Sequence, residues 1–196
     1  GFVKQAGLLQ KMGYRVRTLH GLAHDIIRER PDLAGVSEQF TIADENECRT
    51  MIEQISTAYL RDHPELTELY LVPSIDLDEN YLAKKQWFSL FADIGANFIR
   101  QAKDLQLDPF TLKSIFDKNP FNEPLLEFGM EVYTEYQRGL RFRNAVDFTD
   151  LTRLAMRVLE SDPEFLSRLQ YRWPYILEDE AQDSSSIQEA ILRKMI

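Results

Sequence analysis

A chain of 196 residues with 44% hydrophobic content is long enough for one domain, or for one plus part of another, and too apolar for wholesale disorder. Its 32 acidic and 23 basic side chains give a formal net charge of −9, the reverse of a simple nucleic-acid-binding footprint, so any phosphate contact must come from a local basic strip. No apolar run approaches the ~18 residues that span a bilayer, no signal peptide is visible, and the single cysteine, Cys48, excludes an internal disulfide framework and suits a reducing, cytoplasmic compartment.

In chain order, Phe2 to Met12 reads as the tail of a helix ended by Gly13. Tyr14-Arg15-Val16-Arg17-Thr18 alternates with β-rich residues and predicts a strand. A helix from about Gly21 to Arg30 follows, and Pro31 marks its end. Asp44 with Glu47 three positions on is a capping box, and its helix runs to about Arg61 on Met51, Ile52, Ile55 and Leu60. Residues 63–78 contain Pro64 and Pro73 and predict a loop with a short turn. From Tyr81 to Lys103, Trp87, Phe88, Phe91, Ile94, Phe98 and Ile99 fall at three- and four-residue steps, the stripe of a core-facing helix.

Asp108-Pro109 opens another short helix, with proline in the favoured first turn. Pro120 to Pro124 breaks the chain, and Leu125 to Arg143 then predicts a long helix that packs through Leu126, Met130, Val132, Tyr133 and Tyr136. Asp147 to Leu159 predicts the next helix, with Asp147 and Asp150 as its cap and first-turn charge. Ser161-Asp162-Pro163-Glu164 is a capping box for a helix through Tyr171, which Trp173-Pro174 ends. Tyr175 to Glu178 predicts a strand, and Ser185 with Gln188 caps a terminal helix. The pattern is mainly α, without internal repeat or low-complexity segment.

The chemistry concentrates in Tyr175-Ile176-Leu177-Glu178-Asp179-Glu180-Ala181-Gln182-Asp183. An apolar strand run delivers Asp179 and Glu180 to its C-terminal tip, the edge of an open α/β sheet where ligands bind. An aspartate there can hold Mg²⁺ through oxygen ligation while the neighbouring glutamate orients or deprotonates a water. Two basic strips offer phosphate contacts: Arg138, Arg141 and Arg143, interleaved with Tyr136 and Phe142, and Arg15 with Arg17. Pairing with the abundant acids on helix faces explains either strip equally well.

The acidic string resembles the Walker B box of UvrD/Rep-type superfamily 1 DNA helicases, four apolar residues followed by D-E-x-Q-D. Arg17-Thr18-Leu19-His20-Gly21-Leu22-Ala23 is similar to that family's T-x-H-S-F-A box, with Gly21 in place of serine, and Val146-Asp147-Phe148-Thr149-Asp150-Leu151 to its D-F-x-D-L box. The resemblance implies a helical 1B-like subdomain inserted in an incomplete RecA-like α/β (P-loop NTPase) domain. Residues 1–36 and 146–196 then belong to domain 1A, and 37–145 form the helical insertion.

The resemblance also implies ATP with Mg²⁺ as cofactors, and single-stranded and forked DNA and the remaining helicase domains as partners. It assigns Asp179 to Mg²⁺, Glu180 to activation of the attacking water, and Gln182 to coupling nucleotide state to the DNA-binding motifs. Asp183 orders the turn. Thr18 and His20 would lie by the single-stranded DNA path, and the Gly21 departure removes one expected hydroxyl contact.

None of the eight glycines sits in G-x-x-x-x-G-K-[ST], the loop that cradles nucleotide phosphates. The chain therefore reads as an internal piece of an ATP-dependent 3′–5′ helicase, inactive by itself. Two alternatives stay open: a non-catalytic helical module for protein or DNA interaction, and an independent Mg²⁺-dependent hydrolase built on Asp179 and Glu180.

Overall fold

The computed structural model describes residues 15–72, 77, 79–118, 123–179, 182 and 185–196. The helix expected over Phe2–Met12, with Gly13, lies outside them. The chain divides into two compact units, residues 36–153 and residues 1–35 with 154–196.

The unit of residues 36–153 is a helical body. Its elements are β1 (Thr41–Ile42), α3 (Glu45–Asp62), α4 (Glu65–Tyr70), α5 (Tyr81–Asp104), α6 (Pro109–Lys118), α7 (Pro124–Phe142), β2 (Ala145–Val146) and the first turns of α8 (Phe148–Ser161). Two short helices, α1 (Leu19–Glu29) and α2 (Pro31–Ala34), precede it in the chain. The capping box that opens α3 forms as expected: the Glu47 N–H donates to Asp44 Oδ1 at 2.8 Å and the Asp44 N–H to Glu47 Oε2 at 2.9 Å. These bonds satisfy two of the donors a helix start leaves unpaired.

Helices α3, α5 and α7 pack on one another around Ile52, Leu60, Phe91, Phe128, Val132 and Tyr133. The Phe91 and Phe128 rings meet edge-on at 5.1 Å and Tyr59 meets Phe128 at 5.3 Å, so quadrupole geometry adds to apolar burial. Gly129 lets α7 approach α5 closely: a Cβ there would come within 2.5 Å of the Phe98 ring. Among its described residues, the expected loop over residues 63–78 holds a short helix, α4, which starts after Pro64 and buries Leu66. Proline at a helix start loses nothing, because its missing N–H would have no partner there.

The two ends of this body are tied to each other. β1 and β2 pair in parallel, Thr41 opposite Ala145 and Ile42 opposite Val146. The Thr41 N–H donates to the Asn144 carbonyl at 3.0 Å and the Ala43 N–H to that of Val146 at 2.9 Å. Asn144 takes a left-handed conformation, φ 50°, where a short polar side chain is tolerated. Its amide donates to Ser37 Oγ at 2.7 Å.

The other unit holds α1, α2, the later turns of α8, α9 (Pro163–Arg172) and α10 (Ser186–Met195). α1 buries Ala23, Ile26 and Ile27, and α10 buries Ile191, Leu192 and Met195. The Arg30 guanidinium bonds Asp162, and the Arg157 guanidinium donates twice to the Leu33 carbonyl, at 2.9 and 3.2 Å. Gln170 Nε2 donates to the Lys194 carbonyl at 2.8 Å, joining α9 to α10. The cap of α9 is Asp162, whose carboxylate accepts from the Phe165 N–H at 2.9 Å, whereas Ser161 closes α8. The residue before Pro163 is pushed to extended backbone, so the cap must sit there.

Two expected strands do not form. Residues 15–18 and 175–178 are irregular, and the only ladder among the described residues is β1–β2. A helix closes its hydrogen bonds within itself, but a strand needs a neighbour to take its N–H and C=O groups. Most apolar residues of these runs accordingly stand in solvent: Val16 is 62% exposed, Tyr175 89% and Leu177 97%, with Ile176 half-buried. The described chain is thus mainly α. No helix among the described residues is long and apolar enough to cross a membrane.

Candidate functional site

Thr18 is the N-cap of α1 and not the end of a strand. Its hydroxyl oxygen accepts from the Gly21 N–H at 3.0 Å, and its extended backbone, φ −73° and ψ 158°, suits the position. A Cβ at residue 21 would approach that oxygen to 3.1 Å, so glycine in place of serine leaves the cap uncrowded. His20 lies in the first turn of α1, half-buried. Arg17 pairs with Asp25 at 3.0 Å across an exposed surface. The Arg15 guanidinium lies 5.9 Å from the Trp173 ring, and that of Arg172 lies 5.6 Å from it. The stretch before the T-x-H box and the chain leading to the acidic box therefore meet at an indole flanked by two cations.

Of the acidic box, Asp179 and Gln182 are described, both exposed, while Glu180 and Asp183 lie outside the described residues. Asp179 offers a solvent-accessible carboxylate, a hard oxygen donor of the kind Mg²⁺ takes together with waters and phosphate oxygens. That chemistry fits the ion. Among the described residues no group of three or more His, Cys, Asp or Glu converges as a complete protein cage.

The arginines of α7 lie in the other unit. Arg138 pairs with Glu135 at 2.6 Å yet remains 76% exposed, and Arg141 and Arg143 are exposed at the end of the helix. Arg143 borders a shallow groove with Asp44 and Glu47, the two acids already engaged in the cap of α3.

The two acids of the D-F-T-D-L segment do more than cap a helix. Asp147 Oδ1 accepts from the Asp150 N–H at 2.8 Å, the expected cap. Its other oxygen accepts from the Tyr136 hydroxyl at 2.7 Å and from the Lys103 ammonium. Asp150 Oδ2 accepts from Lys103 Nζ and from Gln137 Nε2, each at 2.7 Å, and Asp150 Oδ1 from Arg153 at 3.1 Å.

Burial opposes ionisation of Asp147, but the charge and hydrogen bond of Lys103 outweigh it, with help from the Asp150 N–H and the Tyr136 hydroxyl. The carboxyl is held below its ordinary range. Burial, then the Asp147 charge, push the Tyr136 phenol well above its usual value. Burial also raises the Cys48 thiol, which suits a packing residue better than a nucleophile.

In the sequence Lys103 is only the last residue of the apolar-periodic segment from Tyr81. The signal was present: Lys103 stands four residues after Ile99, on the buried stripe, where a lysine requires an acidic partner.

A family model described as the UvrD/REP helicase N-terminal domain matches residues 4–196. The ATP-dependent DNA helicase PcrA of Leuconostoc citreum is 29% identical over 177 residues, which cover 90% of this chain and 20% of that protein. DNA helicase II of Escherichia coli K12 is 28% identical over 181 residues, covering 92% of this chain and 21% of the relative. The ATP-dependent DNA helicase UvrD1 of Mycobacterium tuberculosis H37Rv is 26% identical over 182 residues, covering 92% and 20%. This chain thus spans about a fifth of the length of the curated relatives it matches. The three ordered motifs and the match over nearly the whole sequence place the chain in the UvrD/REP helicase N-terminal domain family.

Proposed function

We propose that this chain is the part of an ATP-dependent 3′–5′ DNA helicase that carries Walker B, the T-x-H box and the helical insertion. The observation that carries the reading is the string Asp179-Glu180-Ala181-Gln182-Asp183 behind an apolar run, within a family match over residues 4–196. Asp179 is the Mg²⁺ ligand, directly or through water. Glu180 orients and deprotonates the water that attacks the γ-phosphate, and Gln182 links nucleotide state to the DNA-binding motifs. The ion, when bound with nucleotide, neutralises charge on the phosphate oxygens. Thr18 and His20 lie beside the path of single-stranded DNA, and Arg138, Arg141 and Arg143 contact DNA phosphates.

Residues 1–36 and 146–196 belong to the RecA-like domain 1A, and residues 37–145 form the 1B insertion. Two features support this division. The ends of the helical body are joined by the β1–β2 ladder, and adjacent ends are what an inserted domain requires. In the apolar run Tyr175–Leu177 both flanking side chains are exposed, as in a strand when the rest of its sheet belongs to another part of the protein. The chain alone, without G-x-x-x-x-G-K-[ST], does not hydrolyse ATP.

The test is Glu180→Gln in the parent protein. Nucleotide binding is retained and DNA-stimulated ATP hydrolysis falls by about 10²-fold or more. Wild-type turnover in that variant would sink the assignment. Titration of this chain with fluorescent forked DNA at two salt concentrations separates a DNA-contacting piece, whose binding weakens with salt, from a protein-interaction module that binds none.

A further inference from the structure

The acidic-box reading leaves both acids of Asp147-Phe148-Thr149-Asp150 without a role, yet they converge on one buried ammonium. Lys103 is 2% exposed, and the side chains of Asp147 and Asp150 are 13% and 12% exposed. We propose that Lys103, Asp147 and Asp150 form a buried positioning latch that sets the β2–α8 junction on the helical body. The Lys103 ammonium fills the place between the two carboxylates that a divalent cation would otherwise take.

Every surrounding element contributes. α5 supplies Lys103, and α7 supplies the Tyr136 hydroxyl and the Gln137 amide. α8 supplies Asp150 and Arg153, and the Cys48 thiol of α3 lies beside Tyr136. Two carboxylates face two cations, Lys103 and Arg153, and Asp108 also lies within reach of the Arg153 charge. Buried charge is tolerable only with such pairing and with the remaining lone pairs bonded.

The latch acts on the backbone because one carboxylate does two jobs. Asp147 caps α8 with Oδ1 and holds α5 and α7 with Oδ2. The residue just before it, Val146, accepts the last ladder bond from Ala43. Moving the ammonium therefore moves the helix start and the ladder together. A simple helix cap would leave the ladder indifferent to Lys103. With Lys103 Nζ seated between them, the two acids are also unavailable to a metal ion or a nucleotide.

Amide hydrogen exchange on the full chain reads this out residue by residue. Lys103→Met leaves two buried carboxylates short of a partner. Exchange at the Thr41, Ala43, Asp150 and Leu151 amides rises roughly tenfold or more relative to Ile52 and Val132 in the core of α3 and α7. Asp147→Asn keeps the shape and the cap but not the charge, and it raises exchange at the same four amides. The double variant shows less than the sum of the two, because the partners are shared. Unchanged exchange at those amides in Asp147→Asn would reduce Asp147 to a cap, and equal acceleration at Ile52 and Val132 would reduce Lys103 to a general packing residue; either result overturns the latch. Mn²⁺ added to the wild-type chain leaves the Asp147 and Asp150 amide signals sharp. Selective broadening there would give the cation position back to a metal.

Discussion

The helical body of residues 36–153 and the segment leading to the acidic box satisfy their chain chemistry in different ways. In the body, the apolar stripes of α3, α5 and α7 close on one another and a buried lysine finds two acids and their hydrogen-bonding partners. In residues 173–179, the apolar run lacks such partners, with Tyr175 and Leu177 almost fully exposed. Both regions are legible as patterns, but only the first contains its own partners. A helix supplies its backbone hydrogen bonds locally and needs others only for its apolar face, whereas a strand needs others for both.

Substitutions test this contrast directly. Phe128→Ala removes a fully buried ring at the contact of Phe91 and Tyr59, and should cost about 3–5 kcal/mol by chemical denaturation. A loss below about 1 kcal/mol would mean that the body is not the stable part of the chain.

Asp147→Asn comes next, at about 2–3 kcal/mol near neutral pH, since it removes one of the two carboxylates that hold the buried Lys103 ammonium. The sign of its pH dependence follows from the lowered carboxyl. Its stabilisation is fully present above the unfolded value of 3.8 and is lost as pH falls through the lower folded value. The wild-type chain therefore has a steeper acid limb below about pH 4 than the variant, measured by urea midpoints across that range.

Gly129→Ala places a methyl group against the Phe98 ring and should cost about 1–3 kcal/mol, read as a fall in Tm. Leu177→Ser should change the stability of this chain by less than about 0.5 kcal/mol, because the side chain is 97% exposed. In a longer protein where the run is a sheet strand, the same change should cost about 2 kcal/mol. Equal effects in both settings would remove the reading of Tyr175–Leu177 as an unpaired strand.

Much of the architecture is legible in the sequence, for reasons specific to each element. Asp44 and Glu47 named the start of α3 because a capping box is a local device, complete within four residues. The stripe from Trp87 to Ile99 named α5 because helical periodicity needs only the chain itself. Pro163 hid the true cap of α9, and the strand at residues 15–18 proved to be a cap for α1, since Thr18 serves either conformation until a neighbour decides. At the candidate site, the box residues were legible as a string, while the arginines of α7 could be recognised only as charge.

The long helices, the capping box of α3 and the T-x-H, D-F-x-D-L and D-E-x-Q-D strings are written in the amino-acid sequence, since each depends on residues within a few positions of one another. The role of Asp147 and Asp150 follows from packing across distant parts of the chain. Lys103 lies 44 and 47 residues away, and its pairing with them arises because α5, α7 and β2 bring three charges into one dry space. There an ammonium left without carboxylates would cost more than the body could bear.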